Sequence, residues 1–304
     1  MDELPEYTLF SPAKVNIGLS IVGRRENGYH ELQSVFWPLT LGDTIRVSQA
    51  KESSVTAKWD LAAPHSETLP QNADNIVGKL LARLPIEKKY RVEIKKKIPM
   101  GAGLGGGSSN AGTVLKFLVD RGEVSLSQAK GLAVSLGADV PFFLDPVPSW
   151  VTGIGEKIEK LSQTTNLHFL LVQIPEHRST QEIFAQFKQT ERPFSNPVSN
   201  PFLSPDASLD AWWKSAKNDL EPIVSEKSPI TREVLTALRQ TNALYAALSG
   251  SGSTCFGIYA NSEDIEKAFK VLLPVCRKND CRSITAKTHS GEQPWKSPKS
   301  KFSP

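Results

Sequence analysis

Two hydrophobic periods alternate along the chain. Val15, Ile17, Leu19 and Ile21 occupy odd positions with polar or small residues between them, a period of two that predicts a strand. Thr44-Ile45-Arg46-Val47 repeats it briefly, and Val92, Ile94 and Ile98 form a third such stretch with lysines at the intervening positions. Ile76, Leu80, Leu81 and Leu84 fall instead at helical spacing and predict a helix over 75–84. Ala111, Val114, Leu115 and Leu118 predict another, over about 109–120, with Gly122 at its C-terminal cap. Ser125 and Gln128 have capping-box spacing; they open a helix with Leu126, Ala129, Leu132 and Ala133 inward, ending at Gly137 before Pro141.

The composition shifts near Leu161. Phe169-Leu170-Leu171-Val172 reads as a buried strand within 166–175, and four prolines within 192–206 mark a long irregular connection. Helices are expected over 209–221 and 232–241, with Trp212 in their core. A Gly-Ser turn at 249–252 leads into a strand over 254–259, followed by a helix over 264–273 and a strand over 282–287. No repeat of 20–50 residues occurs, which excludes solenoids and propellers. Strands and helices mix without strict βαβ alternation, so the expected class is α+β in two layered halves. The boundaries are 1–160, 161–288 and a disordered tail over 289–304, rich in Pro, Ser and Lys.

Charge changes this picture little. Lys and Arg number 36 against 32 acids, and the tail supplies half of the net +4. The body carries no concentrated basic stripe, so no nucleic-acid partner is expected. No apolar run reaches the ~18 residues of a membrane span, and the acidic start has no signal-peptide core. A cytoplasmic protein without a membrane partner is the expectation. Cys255, Cys276 and Cys281 lack a second ligand pair or a neighbouring His, so they read as reduced structural thiols, not a zinc site.

The chemistry is concentrated at residues 100–112, which hold six of the 20 glycines. Each Gly adds backbone entropy that folding must remove. Between a strand and a helix, such glycines let backbone N–H groups converge at a helix N-terminus and form a phosphate cradle. Ser108 and Ser109 could cap the helix or reach phosphates or a metal. A Walker A loop would end in Gly-Lys-Ser/Thr, whereas Gly107 is followed by Ser108. Gly101-x-Gly103-x-x-Gly106 has dinucleotide-fold spacing, but no clear strand-ending acid follows it.

Residues 99–111, Pro-Met-Gly-Ala-Gly-Leu-Gly-Gly-Gly-Ser-Ser-Asn-Ala, resemble the signature of the GHMP small-molecule kinases. Pro12-Ala13-Lys14-Val15-Asn16, Gly28-Tyr29-His30-Glu31-Leu32 and Leu136-Gly137-Ala138-Asp139-Val140-Pro141 resemble the branch acting on 4-diphosphocytidyl-2-C-methyl-D-erythritol. Asn218-Asp219-Leu220-Glu221-Pro222 and Leu248-Ser249-Gly250-Ser251-Gly252 extend the likeness. Asp145-Pro146-Val147-Pro148 departs from it, standing where the family often has a Gly-Gly pair.

The resemblance implies a two-domain GHMP-kinase-like fold with the active site in the cleft. It also implies an enzyme that uses ATP, with Mg2+, to phosphorylate the 2-hydroxyl of that cytidine-diphosphate-bearing small molecule in non-mevalonate isoprenoid synthesis. Pro99, Met100, Gly101, Ala102, Gly103, Leu104, Gly105, Gly106, Gly107, Ser108 and Ser109 would then bind ATP. Lys14 and Asp139 would be catalytic, the carboxylate accepting the hydroxyl proton and the ammonium offsetting transition-state charge. Alone, Lys14 reads as a solvated strand-edge charge and Asp139 as a turn acid. Tyr29 would stack on cytosine and His30 contact the base edge, although His30 also reads as a structural histidine. Phe184 is the candidate for the opposite face of the base, or else helix core with Ile183 and Phe187. Thr180 is grouped with the substrate. Asn16, polar inside an apolar strand, needs a partner, which a substrate hydroxyl or phosphate would supply. Metal ligands are unassigned, and the expected state is a monomer or weak homodimer. Homoserine- or mevalonate-type kinases, and more remotely a dinucleotide-dependent oxidoreductase, are the rival readings.

Overall fold

The computed structural model describes residues 5–60, 68–162, 165–177, 179–190, 192–203, 209–291 and 295–296. A first sheet is built on the long hairpin of β1 (Glu6–Arg24) and β2 (His30–Ala50). β3 (Ser54–Trp59), α1 (Ile76–Arg83), β4 (Lys89–Lys96), α2 (Gly106–Asp120), α3 (Leu126–Leu136), β5 (Ser149–Gly153) and β6 (Lys157–Lys160) follow. The sheet runs β1-β2-β4-β3, and the early part of β2 pairs with β5, which pairs with β6. Only β3 and β4 are parallel. A second, antiparallel sheet of four strands comes from the rest of the chain: β7 (His168–Gln173), α4 (Thr180–Gln189), α5 (Leu209–Ser215), α6 (Glu221–Lys227), α7 (Pro229–Arg239), β8 (Tyr245–Leu248), β9 (Thr254–Tyr259), α8 (Ser262–Lys278) and β10 (Arg282–Lys287). Its order is β10-β7-β9-β8.

Three large apolar clusters hold these layers. Helices α1–α3 lie on the first sheet, with Val114, Leu115 and Leu118 against Ile45, Val92 and Ile94. Val15, Ile17, Val35 and Trp37 of the first sheet share a cluster with Phe169, Leu171, Phe256 and Ile258 of the second. Leu19 and Ile21 join Leu170, Val172 and the helices of the second half. Both faces of β1 are therefore covered.

Several expectations change. α2 starts at Gly106, three residues early, from a left-handed Gly105 (φ 71°). Neither Ser108 nor Ser109 caps it, because the capping position belongs to that glycine. Gly122 does close it: Glu123 N–H reaches Leu118 O at 3.0 Å and Gly122 N–H reaches Val119 O at 2.9 Å. Leu126 is 52% exposed, not inward. The single helix expected over 209–221 is two, since Pro222 suits a first helical turn and marks a start there. Pro229 likewise opens α7, ahead of the predicted 232. α8 runs through Pro274 to Lys278 instead of stopping at 273. Trp213 is buried, whereas Trp212 is half-buried, its ring edge-on to Trp150. Strands β3, β5, β6 and β8 were not anticipated; β5, β6 and β8 are only four or five residues long, too short to show a period. The three thiols are free. Of the tail, β11 (Trp295–Lys296) pairs with Leu9 and Thr8 on the open edge of β1. Residues 292–294 and 297–304, like the acidic residues 1–4, lie outside the described residues. Among the described residues no helix is long and apolar enough to cross a membrane.

Candidate active site

The register of β1 with β2 breaks between Pro12 and Lys14. Lys14 faces Pro38, which has no N–H for a ladder bond. The Lys14 N–H leaves the sheet and donates to Leu104 O in the glycine loop at 3.0 Å. A β-bulge thus joins the first motif to the second and re-aims the lysine side chain. Lys14 Nζ lies 3.3 Å from Asp139 Oδ2, donates to Asn16 Oδ1 at 2.5 Å, and stands over the Phe36 ring at 4.7 Å. Lys14 is almost fully buried, while Asp139 keeps about a third of its side chain exposed.

This group sits in a cavity of about 540 Å³. Pro99, Met100, Gly101, Ala102, Gly103, Gly105, Gly106, Gly107 and Ser108 line it, with Thr180 and Phe184 across from them. Leu104 turns its side chain into the core instead. Ser109 is also turned away: its hydroxyl is buried 2.7 Å from Ser11 Oγ, so only Ser108 of the serine pair faces the cavity. Gly105 needs its missing side chain. A β-carbon there would lie 2.9 Å from Phe143 Cζ and 3.2 Å from Lys14 Cε.

Asn16 finds its partners inside the protein: Lys14 Nζ on its oxygen, and Ser34 Oγ accepting from its amide at 3.2 Å. Its burial therefore needs no ligand, although it lines the cavity. Tyr29 stands at the hairpin tip, 58% exposed and off the cavity wall. His30 is buried behind Phe184, the rings stacked at 5.3 Å, with Phe187 edge-on at 5.7 Å. Burial, with the Arg24 charge adding to it, pushes His30 below the ordinary imidazole value. Phe184 packs on the core as expected of a helix residue and also lines the cavity.

Sequence reasoning missed a buried polar network under the loop. Lys96 pairs with Asp43 and donates to Asn110 Oδ1 at 3.1 Å; Asn110 Nδ2 donates to Asp43 and Ser11, each at 2.9 Å. Asp43 also accepts from the N–H groups of Lys97 and Ile98 at 2.7 and 2.9 Å, fixing the chain just before the glycines. A β-carbon on Gly106 would stand 3.1 Å from Lys96 Nζ. A signal existed, since Lys96 shares the even phase of β4 with the buried Tyr90, Val92 and Ile94. Beside it, Ala57, Leu69, Pro70 and Ile76 form an apolar corner of the cavity with Asp74 and Asn75 at its edge. Among the described residues no three His, Cys, Asp or Glu side chains gather as a metal site.

Comparison with known proteins follows the same lines. The GHMP kinases N terminal domain matches residues 73–145, and the GHMP kinases C terminal family matches residues 208–274. The 4-diphosphocytidyl-2-C-methyl-D-erythritol kinase of Pelodictyon phaeoclathratiforme is 33% identical over 279 residues, which are 88% of this chain and 93% of the relative. The enzyme of that name from Burkholderia multivorans is 37% identical, covering 87% and 89%. A crystal structure of 4-(cytidine 5'-diphospho)-2C-methyl-D-erythritol kinase superposes with a TM-score of 0.71 at 28% identity, covering 93% of this chain and all of that one. The homoserine kinase of Cytophaga hutchinsonii shares the fold, with a TM-score of 0.67 at 18% identity over 96% of this chain and 97% of its own.

Proposed function

The chain belongs to the GHMP kinases and, within them, to the 4-diphosphocytidyl-2-C-methyl-D-erythritol kinases, and from that membership we infer that it transfers the γ-phosphoryl group of ATP to the 2-hydroxyl of that substrate. The observation that carries the chemistry is the Lys14–Asp139 pair, 3.3 Å apart in a cavity walled by the glycine loop.

In this reading the substrate oxygen forms the new P–O bond, the bond from the γ-phosphorus to the β,γ-bridging oxygen breaks, and ADP departs. Asp139 takes the hydroxyl proton. Lys14, held by Asn16, offsets the negative charge that collects between nucleophile and phosphate. The exposed N–H groups at the start of α2 receive the phosphates. Magnesium would arrive with the nucleotide, supplying further charge neutralisation. Such sites use one or two carboxylates together with phosphate oxygens, and Asp139 and the Ser108 hydroxyl are suitable donors on the cavity wall. The apolar corner beside Lys96 suits the adenine ring. Phe184, stacked on His30, and Tyr29, at the tip of the hairpin that carries His30, suit the cytosine. The first half would then serve mainly ATP and the second contribute substrate contacts, in the cytoplasm and as a monomer or weak homodimer.

The test is product formation from ATP with the cytidyl substrate, run beside mevalonate and homoserine. Phosphorylation of the cytidyl compound alone is expected. Preferential turnover of either other alcohol would overturn the substrate assignment while leaving the kinase fold intact.

A further inference from the structure

The glycine loop is attached to the protein through its carbonyl oxygens. Ala102 O accepts from Thr254 N–H at 3.2 Å, Leu104 O from Lys14 N–H at 3.0 Å and Gly105 O from Ser109 N–H at 2.8 Å. Gly103 O accepts from Ser249 Oγ at 2.9 Å. Four consecutive acceptors are occupied. Among the described residues, no hydrogen bond uses the N–H of Ala102, Gly103, Leu104 or Gly105. Within a trans peptide the C=O and N–H point in opposite directions, so each tied carbonyl turns the following N–H away from the donor that ties it. A loop with its acceptors engaged and its donors free is an anion receptor, whereas one loose carbonyl would repel a phosphate oxygen.

Three of the four donors are backbone N–H groups. The fourth is a side chain, and it belongs to a turn 146 residues away. Ser249 is fully buried between β8 and β9. Its Oγ accepts from Asn16 N–H at 3.4 Å, and because an amide can only donate, the hydroxyl proton is free to go to Gly103 O. The turn is braced from behind by Asn218, whose amide donates to Leu248 O and Gly250 O at 2.8 Å each and accepts from Leu220 N–H at 2.9 Å. It also presses on the loop: a β-carbon on Gly103 would lie 2.0 Å from Ser249 O.

We propose that Ser249 is a positioning residue for phosphate recognition, its hydroxyl holding the Gly103 carbonyl out of the phosphate site and linking the loop to the strand of Lys14 and Asn16. This rests on the reading of the glycine loop as the phosphate site. Removing the hydroxyl frees the Gly103–Leu104 peptide to rotate, which hurts an anionic ligand and spares an uncharged one.

The test is calorimetric titration of the full chain and of Ser249→Ala with the β,γ-imido analogue of ATP and with adenosine. The expected result is about tenfold weaker binding of the analogue, with adenosine affinity held within about twofold, since one neutral hydrogen bond and one misdirected carbonyl are at stake. Unchanged affinity for the analogue, or an equal loss for both ligands, would overturn the proposal; the latter would make Ser249 a general structural residue. If the parent binds the analogue no more tightly than adenosine, the phosphate reading of the loop falls, and this inference with it. Should Ser249→Ala not fold, Ser249→Cys keeps a donor at the same position, a weaker one on a larger atom. It should lose about threefold for the analogue only, and parental affinity would overturn the proposal.

Discussion

At the scale of single residues, the lysine and the carboxylate are expected to act as a unit. Asp139→Asn keeps the shape and removes the proton acceptor, so kcat should fall by about 10²–10⁴. Lys14→Met should lower kcat as well, and the double variant should be little worse than the poorer single one. The two singles should lose stability for different reasons. Lys14→Met leaves the buried Asn16 Oδ1 without its donor, which costs about 1–3 kcal/mol, whereas Asp139→Asn leaves the buried Lys14 ammonium without its carboxylate, a loss that the partial solvation of Asp139 reduces but does not remove. Paired kinetics and denaturant titrations read both effects. A kcat for Asp139→Asn within about threefold of the parent would exclude the base role and leave positioning as the main source of rate. His30 supplies a pH statement. Its folded value is lowered by burial and by Arg24, so below about 6.5 the unfolded chain binds a proton that the folded chain resists. Stability from this group is complete above that pH and declines as the pH falls through it. His30→Gln should therefore flatten the acid side of a stability–pH curve measured by denaturant unfolding; superimposable curves would show that His30 is not the group responsible. Lys14, Asp139 and the glycines were legible because their chemistry lies in contiguous motifs. Ser11, Asp43 and Ser249 were not, because each gains meaning from a partner that only the fold brings near: Ser109, Lys96 and Gly103.

At the scale of elements, the site depends on how α2 begins. Gly105 holds φ 71° and lies against Phe143 and Lys14, so even one methyl group meets both an unfavourable backbone region and two neighbours. Gly105→Ala should weaken ATP binding by at least about tenfold, or 1.4 kcal/mol, and also lower kcat, because the added carbon crowds the Lys14 side chain. Parental affinity in a folded Gly105→Ala variant would remove the loop from the phosphate site. Helices and strands with a sustained period were legible: α1, α3, β7 and β9 stand close to where their patterns put them. Three helix bounds moved at prolines: Pro222 and Pro229 open helices, where a first-turn N–H has no intrahelical partner to lose, and α8 continues through Pro274 although that residue removes one bond from its ladder. α2 starts three residues ahead of its apolar period because Gly105, in a left-handed conformation, takes the capping position that a serine would otherwise fill.

At the scale of the whole molecule, the division near residue 160 separates the sheets, β11 apart, but not the cores. Val15, Ile17, Val35 and Trp37 are buried with Phe169, Leu171, Phe256 and Ile258, and Leu19 and Ile21 are buried with Leu170 and Val172. β1 is the shared element. One of its faces builds the hairpin sheet's contact with the second sheet, and its bulge at Lys14 shapes the cavity wall, so tertiary contacts made by the second half hold the strand of Lys14 in place. If the halves were independent folding units, heat or denaturant would melt them separately, and a fragment ending at 160 would fold. The shared clusters predict one transition instead. Far-UV circular dichroism and tryptophan fluorescence should report coincident midpoints, because Trp37 and Trp150 lie in the first half and Trp213 in the second. Phe256→Ala should lower that common midpoint by the equivalent of about 3–5 kcal/mol, through the cavity it leaves between the sheets. An ATP analogue bound at the glycine loop should raise the same midpoint, and the tryptophans of both halves should move with it. Two resolved transitions, with Phe256→Ala shifting only one, would show that the contacts across residue 160 join two units that fold alone, and that β1 keeps its bulge without help from the second sheet.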